Sequence, residues 1–217
     1  MLVIFDCDGV LIDSEVIYCA VDAEALTGLG HPTSAADIAR RFTGVTHREA
    51  WETISAEIGF EQPDDWLQGI AAECKRRLAE DLQPIAAAGD TVRTLKGRGV
   101  DLCVASSTRL DALRTNLGHA GLLELVDPHV FSASQVKRSK PAPDVFLHAA
   151  AQMGFDPGEC LVVEDSVAGV TAARRAGMRV LGFIGGGHAY DGLTERLGEA
   201  GAFAVVSSLS DVLDHAR

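Results

Sequence analysis

An apolar run, Leu2-Val-Ile-Phe5, leads straight into Asp6-Cys7-Asp8-Gly9, so two carboxylates leave one extended segment two positions apart. Side chains at that spacing lean to the same side while the strand continues, so both reach one crevice. A second apolar run ends in Glu164-Asp165, a third ends in Ser106-Ser107-Thr108, and Lys140 stands ahead of Pro141-Ala142-Pro143. If these ends converge, four carboxylates face one ammonium. Like charges within ~3–6 Å cannot all ionise cheaply in a cleft, and a divalent cation resolves the conflict. The oxygen donors of these carboxylates suit Mg2+ rather than Zn2+. Such a cation attracts a phosphate dianion, whose remaining oxygens would meet Lys140 and the Ser106 hydroxyl. Two carboxylates with different duties complete the chemistry. Asp6, nearest the strand, would attack phosphorus in line, and Asp8 would protonate the leaving oxygen and later deprotonate water.

The elements that must position these groups are legible as nearly continuous hydrophobic runs. They are Leu2–Phe5, Val100–Ala105, Cys160–Val163, Arg179–Phe183 and Ala202–Val206. Runs without alternation suit strands buried on both faces of a parallel sheet. Helical patterns fall between them, over Asp90–Arg98, Leu110–Leu117, Asp144–Met153 and Ser166–Ala176, the last closed by Gly177. Strand and helix in alternation predict an α/β fold with right-handed crossovers, whose ligands bind beyond the carboxyl ends of the strands. From about Ser14 to Gln83 no strand pattern occurs. Helical segments recur there instead, over Glu15–Leu26, Ser34–Arg41, Thr46–Ile58 and Pro63–Leu82. The expected organisation is therefore a Rossmann-like parallel-sheet core, residues 1–13 and 84–217, with an inserted all-helical cap domain, residues 14–83.

Each signal has an ordinary explanation taken alone. An Asp after a strand is commonly a turn or N-cap residue, Ser106–Thr108 could cap the next helix, and Lys140 could be a solvated loop lysine. The joint order is what caps do not explain. Asp6-Cys-Asp-Gly-Val-Leu-Ile-Asp13, Val104-Ala-Ser-Ser107, Lys140-Pro-Ala-Pro-Asp144 and Val163-Glu-Asp-Ser-Val-Ala-Gly169 together resemble the haloacid dehalogenase superfamily over the whole chain. Within it the chain is most similar to the branch of sugar-phosphate phosphatases and β-phosphoglucomutases, closest to members of the 6-phosphogluconate phosphatase type. The resemblance implies a nucleophile at Asp6 and a general acid/base at Asp8. It places Mg2+ on the Asp6 carboxylate, the Asp8 backbone carbonyl and Asp165, with Glu164 contributing directly or through water. It assigns the phosphoryl group to Ser106, Ser107 and Lys140. A mobile helical cap is also implied.

The cap then decides between hydrolysis and mutase chemistry. Phe42-Thr43-Gly44-Val45-Thr46-His47-Arg48 resembles the superfamily's substrate-specificity loop, so Thr43, Gly44, Val45, His47 and Arg48 are candidate substrate contacts. In the mutases an arginine stands where this chain has His47, a histidine where it has Tyr18, and a threonine where it has Ser14. These departures favour a phosphatase acting on a small phosphosugar or sugar-acid phosphate over a β-phosphoglucomutase-type enzyme. A phospho-accepting receiver module is a further alternative. It shares the acidic pocket, hydroxyl and lysine but lacks a cap insert and is shorter. Arg40 and Arg41 either meet the substrate or lie on a solvated helix face. Gly185-Gly-Gly-His188 lacks a following Lys-Ser/Thr, so it reads as a flexible loop and not a P-loop. Trp51 and Trp66 read as packing residues.

Composition bounds the alternatives. With 217 residues, 47% of them hydrophobic, the chain can bury a real core and is too apolar for intrinsic disorder. A net charge of −12 makes nucleic acid a poor partner but does not exclude a small anionic metabolite bound in one local pocket. No apolar run approaches the ~18 residues of a membrane span, and no secretory leader is evident. Five scattered cysteines without a C-x-x-C read as buried reduced thiols. A cytoplasmic monomer is expected.

Overall fold

The computed structural model describes residues 1–45 and 47–216. Its sheet has six parallel strands: β1 (Leu2–Phe5), β2 (Asp101–Ser106), β3 (Val130–Ser132), β4 (Cys160–Glu164), β5 (Arg179–Phe183) and β6 (Ala204–Val206). Their spatial order is β3-β2-β1-β4-β5-β6, the order of a doubly wound Rossmann sheet. The order reverses beside β1, and such a reversal opens a crevice at the carboxyl ends of the strands. Phe5 pairs with Val104 on one side and Val163 on the other, which brings the ends of β1, β2 and β4 level.

Helices fill the connections. Between β1 and β2 lie α1 (Ser14–Gly28), α2 (Ala35–Phe42), α3 (His47–Ile58), α4 (Trp66–Asp81) and α5 (Ala88–Gly97). After β2 come α6 (Leu110–His119) and the short α7 (Leu123–Val126), and α8 (Asp144–Met153) precedes β4. Next are α9 (Val167–Arg175), α10 (Leu193–Ala200) and a last turn, α11 (Val212–His215). Alternate residues of β1 serve opposite faces of the sheet, as the strand period requires. Val3 and Phe5 join one buried cluster with Val104 and Leu113, while Leu2 and Ile4 join the other with Phe146 and Val170. The helices α1–α4 carry a separate buried cluster around Trp51, Ile54, Ile38 and Leu26.

Strands β1 and β5 have the expected bounds, and β2 runs one residue later than its apolar pattern. Four of these elements, β3, α7, α10 and α11, were not anticipated. The three residues of β3 follow Pro128 and are too few to show a period. The helix expected from Thr46 begins at His47 among the described residues, and Thr46 itself lies outside them. All five cysteines are unpaired and buried. No helix of the described residues is long and apolar enough to cross a membrane.

Candidate active site

Asp6 is the first residue past β1, and its N–H still bonds the Val163 carbonyl at 2.9 Å, so the sheet register fixes it. Its side chain is buried and receives the Lys140 ammonium at 2.6 Å. Lys140 reaches Glu164 Oε1 at 2.7 Å and the Ala105 carbonyl at 3.2 Å, and it lies over the Phe146 ring. Burial pushes the Asp6 carboxyl well above the usual carboxylate range, a rise that Lys140 opposes and that Glu164, Asp165 and Asp8 reinforce. Burial likewise raises Glu164. Burial alone would discharge Lys140, but Asp6 and Glu164 more than reverse this and hold it above its ordinary value.

A tight turn after β1 is closed by Leu11 and Ile12 N–H donating to the Cys7 carbonyl and Gly9 N–H to that of Ile12. The returning chain accepts from Asp13 N–H at the Gln83 carbonyl, and this turn carries Asp8 into the crevice. Ser14 donates to Asp8 Oδ1 at 2.7 Å, while Thr108 and Ser106 donate to Oδ2 at 2.8 and 3.1 Å. Hydroxyls from the first turn of α1 and from the end of β2 thus hold one carboxylate in place. Ser107 is exposed but lines the same cleft.

Glu164 Oε2 accepts from the Ser166 backbone and hydroxyl at 2.8 and 3.0 Å, and Ser166 in turn caps α9 through Gly169 N–H. A Cβ on Gly169 would fall 1.6 Å from Glu164 Oε1, so the helix can approach the carboxylate only because that residue is glycine. Gly9 has the same relation to Asp165, with 2.1 Å from a would-be Cβ to Oδ2 and a φ of +77°. Asp6, Glu164 and Asp165 each present a carboxylate oxygen within 4.8 Å of the others. Both oxygens of Glu164 are already engaged, whereas Asp6 Oδ2 and Asp165 Oδ1 accept no hydrogen bond from the described residues. A convergent, oxygen-only donor set with two uncommitted oxygens fits a hard divalent cation.

His188, read from sequence as part of a flexible glycine loop, is a buried neighbour of this cluster. Its Nε2 lies 2.8 Å from Asp165 Oδ2, in ion-pair distance but without the alignment of a directed hydrogen bond. Burial works against its charge, but Asp165 prevails and raises it to about 9. Would-be Cβ atoms on Gly9 and Gly186 both meet the imidazole at 2.7 Å, so the glycines wrap the ring. Thr108 was missed as well. A hydroxyl next to Ser106-Ser107 was the signal for it.

The cleft above these groups has a volume of about 350 Å³. The loop after α2 and the start of α3 bring Thr43, Gly44, Val45 and His47 to it, and Gly44 packs against Ser166 of the core, whose Cβ stands 2.9 Å from a would-be Gly44 Cβ. Arg48 is exposed and does not line the cleft. Arg40 and Arg41 form exposed pairs with Asp37 and Glu57. Glu15, Tyr18 and Asp22 of α1 complete the cap wall. Burial, then the Asp165 charge, raises Glu15 to about 8.

Residues 1–177 match a family model described as haloacid dehalogenase-like hydrolase. The chain is 30% identical over 187 residues to 6-phosphogluconate phosphatase of Escherichia coli K12, covering 86% of this chain and 83% of that one. It is 31% identical over 207 residues to a phosphorylated carbohydrates phosphatase of Thermotoga maritima, covering 94% and 93%. A solved haloacid dehalogenase-like protein from Agrobacterium tumefaciens superposes with a TM-score of 0.92 at 37% identity, over 99% of this chain and 96% of its own.

Proposed function

Given that the chain belongs to the haloacid dehalogenase-like hydrolase family, we propose that it is a Mg2+-dependent phosphatase. Its substrate is a small phosphosugar or sugar-acid phosphate monoester. The observation that carries this reading is the buried triad of Asp6, Lys140 and Glu164 facing an Asp8 held by three hydroxyls. The names of the two phosphatase relatives support the substrate class. Residues 14–83 act as the cap, and a cytoplasmic monomer belongs to the same reading.

One oxygen of the Asp6 carboxylate attacks phosphorus in line. The bond from phosphorus to the sugar oxygen breaks, and that oxygen takes a proton from Asp8. Lys140, with Ser106 and Ser107, holds the phosphoryl oxygens and offsets their charge. Water then gives a proton to Asp8 and attacks the aspartyl-phosphate, the Asp6–phosphorus bond breaks, and inorganic phosphate leaves. When bound, Mg2+ would be held by Asp6, Asp165 and the Asp8 backbone carbonyl, with Glu164 contributing directly or through water, and would neutralise charge on the transferring group.

A β-phosphoglucomutase-type reaction must retain a bis-phosphorylated intermediate, and a cap that brings no Arg or Lys to the cleft among the described residues is poorly made for it. The test is a panel of phosphorylated metabolites, assayed for phosphate release with Mg2+ and with EDTA. Repeated turnover that EDTA abolishes and Mg2+ restores is expected. Interconversion of β-glucose 1-phosphate and glucose 6-phosphate without release would overturn hydrolysis, and one slow phosphorylation without turnover would point to a receiver.

A further inference from the structure

On the cap wall of the cleft, a polar cluster stands opposite the phosphoryl end. Asp22, on α1, is 4% exposed. It accepts the Trp51 indole N–H at 2.8 Å, and His47 Nε2 lies 2.8 and 2.9 Å from its two oxygens. Trp51 is fully buried in the cap core, so the carboxylate is fixed from behind. The His47 side chain is 34% exposed and lines the cleft, and with Nε2 on Asp22 its other ring nitrogen is the one a ligand can meet. A buried ionisable group held this firmly is costly unless its partners are kept, and here one partner, His47, faces the substrate space.

The charge of this wall is bounded by its composition. An aspartate with a neutral imidazole carries −1, and with an imidazolium it carries zero, so the Asp22–His47 pair is never net positive. Glu15, the other ionisable cap group beside it, is neutral or negative. Among the described residues no cap Arg or Lys lines the cleft, and Lys140 stands at the phosphoryl end, between Asp6 and Glu164. A substrate whose far end bears a carboxylate or a second phosphate would therefore bring an anion against a wall that offers it no net positive charge. A hydroxylated, uncharged far end meets an acceptor in Asp22, a ring nitrogen in His47 and a phenol in Tyr18. Ile38 and Phe42 offer apolar contact to its carbon chain.

Resting on the phosphatase reading, we propose that the Asp22–His47 pair, braced by Trp51, is the leaving-group recognition element. It selects neutral polyhydroxy monophosphates, of the alditol or ketose class, over aldonic-acid phosphates and sugar bisphosphates. This narrows the substrate class away from the sugar acid named for the Escherichia coli relative.

The experiment compares phosphate release by the full chain with Mg2+ from sorbitol 6-phosphate, 6-phosphogluconate, glucose 1,6-bisphosphate and p-nitrophenyl phosphate. The wild-type kcat/KM for the hexitol phosphate should exceed that for 6-phosphogluconate and for the bisphosphate by about tenfold or more. Asp22→Asn removes the negative charge and should narrow that ratio by about tenfold. His47→Gln, at a partly exposed position that does not threaten folding, should lower kcat/KM for the hexitol phosphate mainly through KM. Equal or better use of 6-phosphogluconate by the wild type, with p-nitrophenyl phosphate turned over, overturns this proposal and leaves the phosphatase reading standing. Absence of release from every ester overturns both. An unchanged ratio in a folded Asp22→Asn variant, together with an unchanged KM in His47→Gln, removes the pair from recognition.

Discussion

The carboxyl end of the sheet and the cap wall that faces it are built on opposite plans. At the sheet, Asp6, Glu164 and Asp165 are buried within ligand distance of one another, Lys140 sits between two of them, and glycines at 9 and 169 allow the close approach. Displacing any one group leaves another buried and uncompensated. On the cap, one aspartate held by a tryptophan and a histidine faces the cleft, and Arg40 and Arg41 are turned outward into exposed pairs. The difference separates two tasks. Phosphoryl transfer needs a fixed constellation, which the sheet register supplies, whereas selectivity needs only a few polar groups carried on a separate helical layer.

Replacing the residues at the sheet should therefore have the largest effects. Asp6→Asn keeps the shape but removes the nucleophile, and phosphate release should fall below detection while the melting transition remains cooperative. Asp8→Ala should cost about 10²- to 10⁴-fold in kcat, the usual reach of a general acid/base. Wild-type turnover by Asp6→Asn would break the assignment of the transfer step to the sheet. Next in size is His188→Ala. The imidazole packs on Asp165, and losing such an outer contact of a ligating carboxylate typically weakens metal binding about 10- to 100-fold. Titration calorimetry with Mg2+, or Mn2+ spin resonance, on the resting protein reads this without turnover. Unaltered affinity would make His188 a packing residue alone.

Smaller, and measurable without substrate, is the pH dependence of metal-free stability. Asp6 and Glu164 have folded-state values above their unfolded ones, so the folded chain binds more protons than the unfolded chain above the ordinary carboxylate range. Stability then falls as pH rises through that interval. His188, raised to about 9, acts in the same direction: its contribution is complete below its unfolded value near 6.5 and is lost as pH passes about 9. Melting temperatures in EDTA should decline from pH 5 to pH 8, and the gain on adding Mg2+ should be larger at pH 8. A gain independent of pH would mean that the buried acids do not hold the ion.

Much of the site at the sheet was legible in the sequence because several of its groups stand where a continuous apolar run ends. Asp6, Ser106 and Glu164 sit at the ends of the strands that became β1, β2 and β4. Asp22 was not legible. Its partners lie 25 and 29 residues away on another helix, and an acid inside an amphipathic segment reads as a solvated position. His188 was obscured by the glycines before it, whose pattern signals a turn. Their role is to make room for a ring, which is a tertiary fact. The same limit applies to β3, whose membership in the sheet is decided by its pairing with β2 and not by its own three residues.

The outward-facing cap arginines give the comparison its finest test. Arg41 pairs with Glu57 at 2.6 Å, with side chains 42% and 50% exposed, and lies over the Phe42 ring. In water such a pair gains little Coulomb energy and loses side-chain freedom, so Arg41→Ala should change stability by about 1 kcal/mol at most. Arg48→Ala, at an exposed position outside the cleft lining, should alter stability by less than about 0.5 kcal/mol. Neither should change the ratio of kcat/KM between neutral and anionic substrates, because neither cation reaches the ligand. A rise in that ratio for the arginine variants, measured beside Asp22→Asn, would mean that the cap turns an arginine inward when it closes. Selectivity would then depend on the cap's movement and not on the wall seen here.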